Sequence, residues 1–432
     1  MHKNDNRIIR YLNSLPRFQT AGASAANFSL DAIRAFCAGM GNPEQSFRAV
    51  HIAGTNGKGT TAHMLHAVYM EAGYRTGLFT SPHLLQFNER IRINGHPVPD
   101  NDLGLFFDRY EDLIRHCPLT YFELSAAMAF WYFRHMNVDI AIIETGLGGR
   151  LDATNIIIPA CSVITSIGLD HTEILGPAIS DIAREKGGII KPGVPVVTGN
   201  LAGEAMQVTE EIAKKNRSPL IRSAGMNAKY VGSTLIGGIT CIDHPEFGPM
   251  EIHCDIPGSV QRLNIAVAAS VVLTLAAEFP VQKEALLSGL SGTAALTGLP
   301  GRYERLDHGR NWFFDGGHNN EALTHLAALV DDLGGAASAT AVIALNADKA
   351  TDEVLDFYRA FKSVYYYRMD GERSAEFDRI LQRIPDAVSV NSEFRETTGP
   401  LWHLNRKELV IFSGSFYFYP VVKRWLASLE SR

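Results

Sequence analysis

The sequence predicts a two-domain α/β protein, a doubly wound, mostly parallel sheet domain followed by a smaller α/β domain. Three observations carry that expectation. From Ala49 onward, short β-branched runs alternate with helical stretches, the pattern of strands joined by crossover helices. Two of the runs, Val138–Gly146 and Cys161–Gly168, are almost continuously apolar and end in glycine, as strands buried on both faces do. Finally, 432 residues exceed one ordinary domain. A Gly- and Ser-rich stretch, Ser288–Arg302, closed by Pro300-Gly301, separates the first round of alternation from a second. The expected division is 1–296 and 297–432.

The elements follow in order. "RAVHIAG" reads as a strand, a helix is expected over about Lys58–Ala72, and "RTGLFTS" reads as the next strand. The segment Thr80–Gly95 ends in an Asn94-Gly95 turn and reads as a surface loop or hairpin. Helical patterns cover Phe122–His135 and Ala178–Ile190. In "KYVGSTLIGGITCID" the Gly237-Gly238 pair between two strand-like runs predicts a hairpin, an antiparallel patch on the first domain. Beyond the linker, "NWFFDGG", "TAVIALN", "SVYYYRM", "AVSVN" and "ELVIFSG" are five strand candidates.

Composition narrows the function classes. Hydrophobic residues at 46% and charged residues at 20% describe a soluble globular chain with an ample core. A formal charge of −6 leaves no basic footprint for nucleic acid or an anionic membrane. Five cysteines without a CxxC pair indicate neither a disulfide framework nor structural zinc, which suits a reducing cytoplasm. The first fifteen residues lack the apolar core of a signal peptide. The longest weakly polar run, Ile265–Ala277, is too short to span a bilayer.

The chemistry starts at "VHIAGTNGKGTTAHML", Val50–Leu65. A strand, a glycine-rich turn and a helix start are what a phosphate site needs. Backbone N–H groups and the positive helix end face the anion, and Lys58 adds a point charge. The spacing departs from the commonest phosphate loop: Gly54 stands two positions too close to Lys58, and the hydroxyl arrives one position late, at Thr60. A plain glycine turn packed on a sheet is the bland alternative. Glu144, at the end of an apolar strand, is expensive to bury unless a cation is near. Lys58 would serve as that cation, but Mg2+ beside a phosphate loop is the sharper explanation. Asp170 and His171 repeat the arrangement after the next strand, where a lone histidine is more often structural. Ser81 sits at another strand's C-terminal end, where open α/β sheets place ligands, although a helix cap is its simpler role. Lys186 lies on a largely apolar helix and reads as a snorkelling lysine on its own. In the second domain "FFDGGHNNEAL" places Asp315 and His318 at a strand end.

Taken together, these motifs resemble one family, the folylpolyglutamate synthases and dihydrofolate synthases, ATP-dependent amide ligases of the Mur ligase superfamily. The resemblance rests on "AGTNGKGT", "TSPHL…ERIRING", "TYFE", "ETGLGGRLDATN", "GLDHTEILG…IAREKGGIIKPG", "PGRYE" and "DGGHN", in the family's order from Ala53 to Asn319. It implies a P-loop-type sheet domain and a Rossmann-like second domain. It also implies that Thr55, Asn56, Gly57, Lys58, Gly59 and Thr60 cradle the ATP phosphates, with Asn264, Arg302 and Asp315 also binding ATP. Ser81, Glu144 and His171 correspond to the family's Mg2+ ligands, and Lys186 to its carbamylated lysine. Thr120, Tyr121, Phe122 and Glu123, with Leu151, Asp152 and Ala153, correspond to the pteroate-binding segments. Three small departures, Gly317, Asn320 and Gly187-Gly188, bear on loop geometry. Tyr121 stands where phenylalanine is common.

The reaction implied is amide formation through an acyl phosphate, with L-glutamate as amine and dihydropteroate or a reduced folate as acid. Lys58, Lys186 and His318 are the expected catalytic residues. His318 would act on the nucleotide or the incoming amine, and closure near Gly298–Arg302 would exclude water. "GRLDATN" resembles the bifunctional bacterial members, so both activities are expected. The alternatives are a polyglutamylase only and a non-catalytic folate- or nucleotide-binding paralogue. A peptidoglycan Mur ligase is disfavoured, because only about 47 residues precede the first strand. The expected partners are small molecules alone, in a cytoplasmic monomer.

Overall fold

The computed structural model describes residues 3–16, 29–201, 203–307, 309–317, 319–371, 373–391, 394, 401, 404 and 407–430. Contacts divide the chain into two units. One comprises residues 1–228, 242–250 and 263–297, the other 229–241, 251–262 and 298–432. The segment expected to decorate the first domain is therefore shared, with most of its residues grouped into the second unit.

The first unit is built on an eight-stranded sheet. Its strands are β1 (Arg48–Ala53), β2 (Thr76–Phe79), β3 (Ile91–Ile93), β4 (His96–Pro97), β5 (Ile140–Glu144), β6 (Cys161–Ile164), β7 (Val196–Thr198) and β8 (Leu220–Arg222), in the order β4-β3-β2-β5-β1-β6-β7-β8. Six strands pair in parallel, and at one edge β3 runs antiparallel to both β2 and β4. The apolar runs become the middle of the sheet because every residue from Ile140 to Ile143 and from Val50 to Ala53 is covered on both faces. The sheet order reverses at β1, which pairs with β5 on one side and β6 on the other. That reversal opens a crevice at the C-terminal strand ends, where such sheets bind ligands.

Helix Lys58–Glu71 follows β1 almost at once and is buried from Thr60 to Tyr69. It packs against β5 and β2 on one side and against helices Lys283–Ser291 and Thr293–Thr297 on the other. Helix Tyr121–His135 anchors the main apolar cluster with Phe36, Phe106 and Phe130. The Asn94-Gly95 turn joins β3 to β4, both residues in left-handed conformation (φ 47° and 78°), as a tight hairpin requires.

Strands β9 (Lys229–Thr234), β10 (Gly237–His244) and β11 (Gly248–Cys254) form a three-stranded sheet in the order β11-β10-β9. The predicted hairpin exists, but its turn is Leu235-Ile236, because Thr234 pairs with Gly237. Gly237 and Gly238 instead begin β10. A Cβ on Gly237 would lie 2.2 Å from the Cys254 carbonyl oxygen, so that glycine lets two backbones approach.

The second unit holds a six-stranded sheet of β12 (Glu304–Arg305), β13 (Trp312–Asp315), β14 (Thr340–Ile343), β15 (Ser363–Tyr366), β16 (Val388–Ser389) and β17 (Val410–Ser413). Their order is β12-β13-β17-β14-β15-β16. All five predicted strands are present and parallel, and the two-residue edge strand β12 is added antiparallel. Phe313, Ala341, Ile343, Tyr366 and Ile411 centre its core. All five cysteines are free thiols. Among the described residues no helix is long and apolar enough to cross a membrane.

Candidate active site

The glycine turn between β1 and helix Lys58–Glu71 lies at the sheet's reversal and is held by the residues after β6. The Thr55 and Asn56 N–H groups donate to the Ser166 carbonyl and hydroxyl, both at 2.9 Å. The Thr165 hydroxyl donates to the Asn56 carbonyl at 2.6 Å, and the Gly168 N–H to Thr55 Oγ1 at 3.0 Å. A Cβ on Gly54 would fall 2.0 Å from Thr165 Oγ1, so only glycine allows the two loops to touch. Gly57 precedes the helix at φ 82°, and a Cβ there would lie 2.6 Å from Asn264 Oδ1. Thr61 donates to the same Asn264 oxygen at 3.4 Å. Asn264 thus stands at the glycine turn from a position more than two hundred residues downstream. Neither Thr165 nor Ser166 is among the predicted site residues. The "TS" that ends the β6 run is the signal that marks them.

Lysines converge on the turn. Lys58 Nζ donates to the carbonyls of Gly54 (2.8 Å) and Thr55 (3.1 Å), and Lys186 Nζ donates to the same Gly54 carbonyl at 2.9 Å. Lys186 is buried near the C-terminal end of helix Ile179–Gly187, so it is not the snorkelling residue of the bland reading. Burial first, and then repulsion from Lys58, lowers its pKa to about 7 against the attraction of Asp170 and Asp152.

Glu144 closes β5 and is 3% exposed. Its Oε2 accepts from the Ser81 N–H at 2.9 Å, and its Oε1 lies 3.6 Å from where a Cβ on Gly59 would stand. The buried carboxylate, the serine after β2 and the phosphate turn therefore meet at three adjacent strand ends. His171 is exposed beyond β6, in left-handed conformation (φ 50°) at the start of the short helix Thr172–Leu175. Among the described residues no group of three His, Cys, Asp or Glu side chains is assembled as a metal cage. A Ser/Glu/His set contains only two such residues, and Mg2+ keeps several waters and takes few protein ligands. Ser81 and Glu144, joined at 2.9 Å, offer the oxygen donors that this ion prefers.

The two predicted pteroate segments have definite local duties. Thr120 and Glu123 cap helix Tyr121–His135 reciprocally. The Thr120 hydroxyl accepts from the Glu123 N–H at 3.3 Å, and Glu123 Oε2 accepts from the Thr120 N–H at 2.8 Å. Tyr121 packs edge-on to Phe87, with the Arg90 guanidinium 5.2 Å from its ring centre, and Phe122 lies against Phe79. Asp152 accepts four hydrogen bonds. Gly146 and Leu147 N–H groups reach Oδ2 (2.8 and 2.9 Å), and the Thr154 N–H and hydroxyl reach Oδ1 (3.0 and 2.5 Å). Burial raises its pKa while those bonds act to lower it. Ala153 is buried at the start of a 3-10 turn and Leu151 is half-buried. This loop is fastened to the Lys186 helix: the Arg150 N–H donates to the Glu185 carbonyl at 2.7 Å, and their side chains form an ion pair.

In the second unit, Asp315 ends β13 and accepts from the N–H groups of Tyr303 (3.1 Å) and Gly317 (2.8 Å). Arg302 stacks its guanidinium 3.9 Å from the Phe416 ring centre. Phe416 is a residue that sequence reasoning missed. His318 lies outside the described residues.

Comparison with known proteins places this geometry in context. The Mur ligase middle domain family matches residues 52–272. The Bacillus subtilis dihydrofolate synthase/folylpolyglutamate synthase is 32% identical over 92% of this chain and 94% of its own. The crystal structure of Thermotoga maritima folylpolyglutamate synthase covers 98% of this chain and 97% of its own, with a TM-score of 0.82 at 27% identity. The structure of E. coli FolC in complex with DHPP and ADP covers 98% of both chains, with a TM-score of 0.83 at 28% identity.

Proposed function

The chain belongs to the dihydrofolate synthase/folylpolyglutamate synthase family of Mur ligases, and from that membership we propose that it is an ATP-dependent ligase adding L-glutamate to dihydropteroate and to reduced folates. The observation that carries the reading is the glycine turn at the sheet's reversal, with two lysines sharing one of its carbonyls and a buried carboxylate at its side.

An unactivated carboxylate is a poor electrophile. The acceptor's carboxylate attacks the γ-phosphorus of ATP, ADP leaves, and an acyl phosphate forms. The glutamate amine then attacks the acyl carbon, the C–O bond to phosphate breaks, and the amine's proton is lost to solvent or a base. Thr55 to Thr60 hold the phosphates. The N–H groups of a helix's first turn have no intrahelical partner and face an anion naturally. Lys58 exchanges its loop carbonyls for phosphate oxygens, and Asn264 bounds the nucleotide beside Gly57. Arg302 and Asp315 bind ATP, and His318 acts on the nucleotide or the amine. Thr120 to Glu123 and Leu151 to Ala153 line the acceptor site.

Ser81, Glu144 and His171 would hold Mg2+, which would offset charge on the phosphoryl oxygens. Lys186 suits carbamylation. A pKa of about 7 leaves much of its amine neutral and nucleophilic at physiological pH, and the carbamate's negative charge would turn repulsion from Lys58 into attraction.

The test is phosphate release by the purified protein with Mg-ATP and L-glutamate, with dihydropteroate in one vessel and tetrahydrofolate in another. Release in both is expected. Release with tetrahydrofolate alone would reduce the protein to a polyglutamylase, and silence in both with ATP bound would move it to a different acceptor or to the non-catalytic class.

A further inference from the structure

His51 has no part in the chemistry above, yet it sits on β1 three residues before Gly54, completely buried. Its Nε2 lies 2.7 Å from Thr154 Oγ1. That hydroxyl lies 2.5 Å from Asp152 Oδ1. Both Asp152 oxygens already face backbone N–H donors, so the carboxyl group acts as an acceptor only. A hydroxyl carries one proton. Thr154 gives it to Asp152 and must therefore accept from His51, which places the imidazole hydrogen on Nε2. Nδ1 is then a bare acceptor, and it has no hydrogen-bond partner. Protonating it would bury a charge and an N–H with nothing to receive either. Burial, with repulsion from Lys191, accordingly pushes the pKa down to about 3.

We propose that His51 is a positioning residue for the acceptor. Through the Thr154 hydroxyl it fastens the loop carrying Leu151–Ala153 to the strand that leads into the phosphate turn. The same loop has a second tie to β1, the Thr145 N–H donating to the Ile52 carbonyl at 2.9 Å. The backbone tie sets where the loop leaves β5, and the side-chain tie sets where Asp152 and its neighbours come to rest. The phosphate turn and the acceptor loop then share one rigid support, as in-line transfer between their ligands requires. The inference rests on the proposed assignment of Leu151–Ala153 to the acceptor.

In steady-state phosphate release, His51→Leu is expected to raise KM for dihydropteroate about tenfold, the worth of one lost hydrogen bond, with KM for ATP within about twofold. His51→Gln, whose amide N–H stands near the place of Nε2–H, should restore most of the loss. Thr154→Val, which loses this bond and also the one to Asp152, should raise that KM at least as much, and it carries the same test if His51→Leu fails to fold. The double variant should be no worse than Thr154→Val alone. Equal rises in both KM values, additive losses in the double variant or no rescue by glutamine would overturn the proposal. Wild-type silence with dihydropteroate would count against the functional reading alone. The bond can still be read by nitrogen-15 NMR of labelled histidine. A neutral Nε2–H tautomer at pH 7, shifted by Thr154→Val, supports the proposal, and an Nδ1–H tautomer overturns it.

Discussion

Lys186 shows how a single residue changes meaning with its surroundings. A lysine on an apolar helix face ordinarily runs its stem along the surface and keeps its ammonium in water. Here the ammonium end is buried against the Gly54 carbonyl and Lys58, and its pKa falls from 10.5 to about 7. Between those values the unfolded chain holds a proton that the folded chain does not, so this residue makes stability rise with pH from about 7 towards 10. In buffer freed of carbon dioxide, urea unfolding of Lys186→Met should show a flatter pH dependence than wild type across that window. Parallel curves would mean that the folded protein does not carry Lys186 as a depressed, neutral-leaning amine. Glu144 makes the complementary point. A carboxylate buried beside the glycine turn is costly unless a cation is near, and it is there that Mg2+ is proposed to bind.

At the scale of elements, capping and turn chemistry do more than begin helices. The phosphate turn uses Gly57 in left-handed conformation to start helix Lys58–Glu71 with its N-terminus facing the crevice. Helix Tyr121–His135 is started by the reciprocal bonds of Thr120 and Glu123, and these two residues bound the proposed acceptor segment Thr120 to Glu123. Thr120→Ala should therefore lower stability by about 0.5–2 kcal/mol, as loss of such a cap does, read as a shift of the urea midpoint. If stability held while KM for the acceptor rose, Thr120 would be a substrate contact rather than a cap. The loop from Gly146 to Ile156 is organised by a different device. One carboxylate, Asp152, gathers four donors, and the Arg150–Glu185 pair fixes the loop to the Lys186 helix.

For the molecule as a whole, the proposed function makes stability depend on ligand. Any ligand bound by the folded state alone stabilises it by mass action, about 2.7 kcal/mol at a hundredfold excess over Kd. Mg-ATP is expected to raise the thermal midpoint, and excess EDTA should remove most of that gain while ATP remains. An unchanged shift in EDTA would take the metal out of nucleotide binding. Dihydropteroate added after Mg-ATP should raise the midpoint again, because the phosphate turn and the acceptor loop hang on neighbouring strands of one sheet.

By itself the sequence determined what short windows can encode. The strand, glycine turn and helix of the phosphate site, the apolar runs of β5 and β6, the Asn94-Gly95 turn and all five parallel strands of the second unit were legible. Each depends on residues within a few positions of one another, through burial on both faces or a φ that only glycine or asparagine readily adopts. The tertiary structure alone decided what depends on pairing across long separations. It set β1 between β5 and β6, brought Lys186 onto Gly54 across 132 positions and put Asn264 at the phosphate turn. It also moved the β9–β10 turn to Leu235-Ile236, where the approach of β11 rather than local turn preference requires Gly237. Thr165, Ser166 and His51 read locally as ordinary strand and loop residues. Their roles arise from the donors and acceptors that folding brings to them, since a buried polar atom must find its partner wherever the chain provides one.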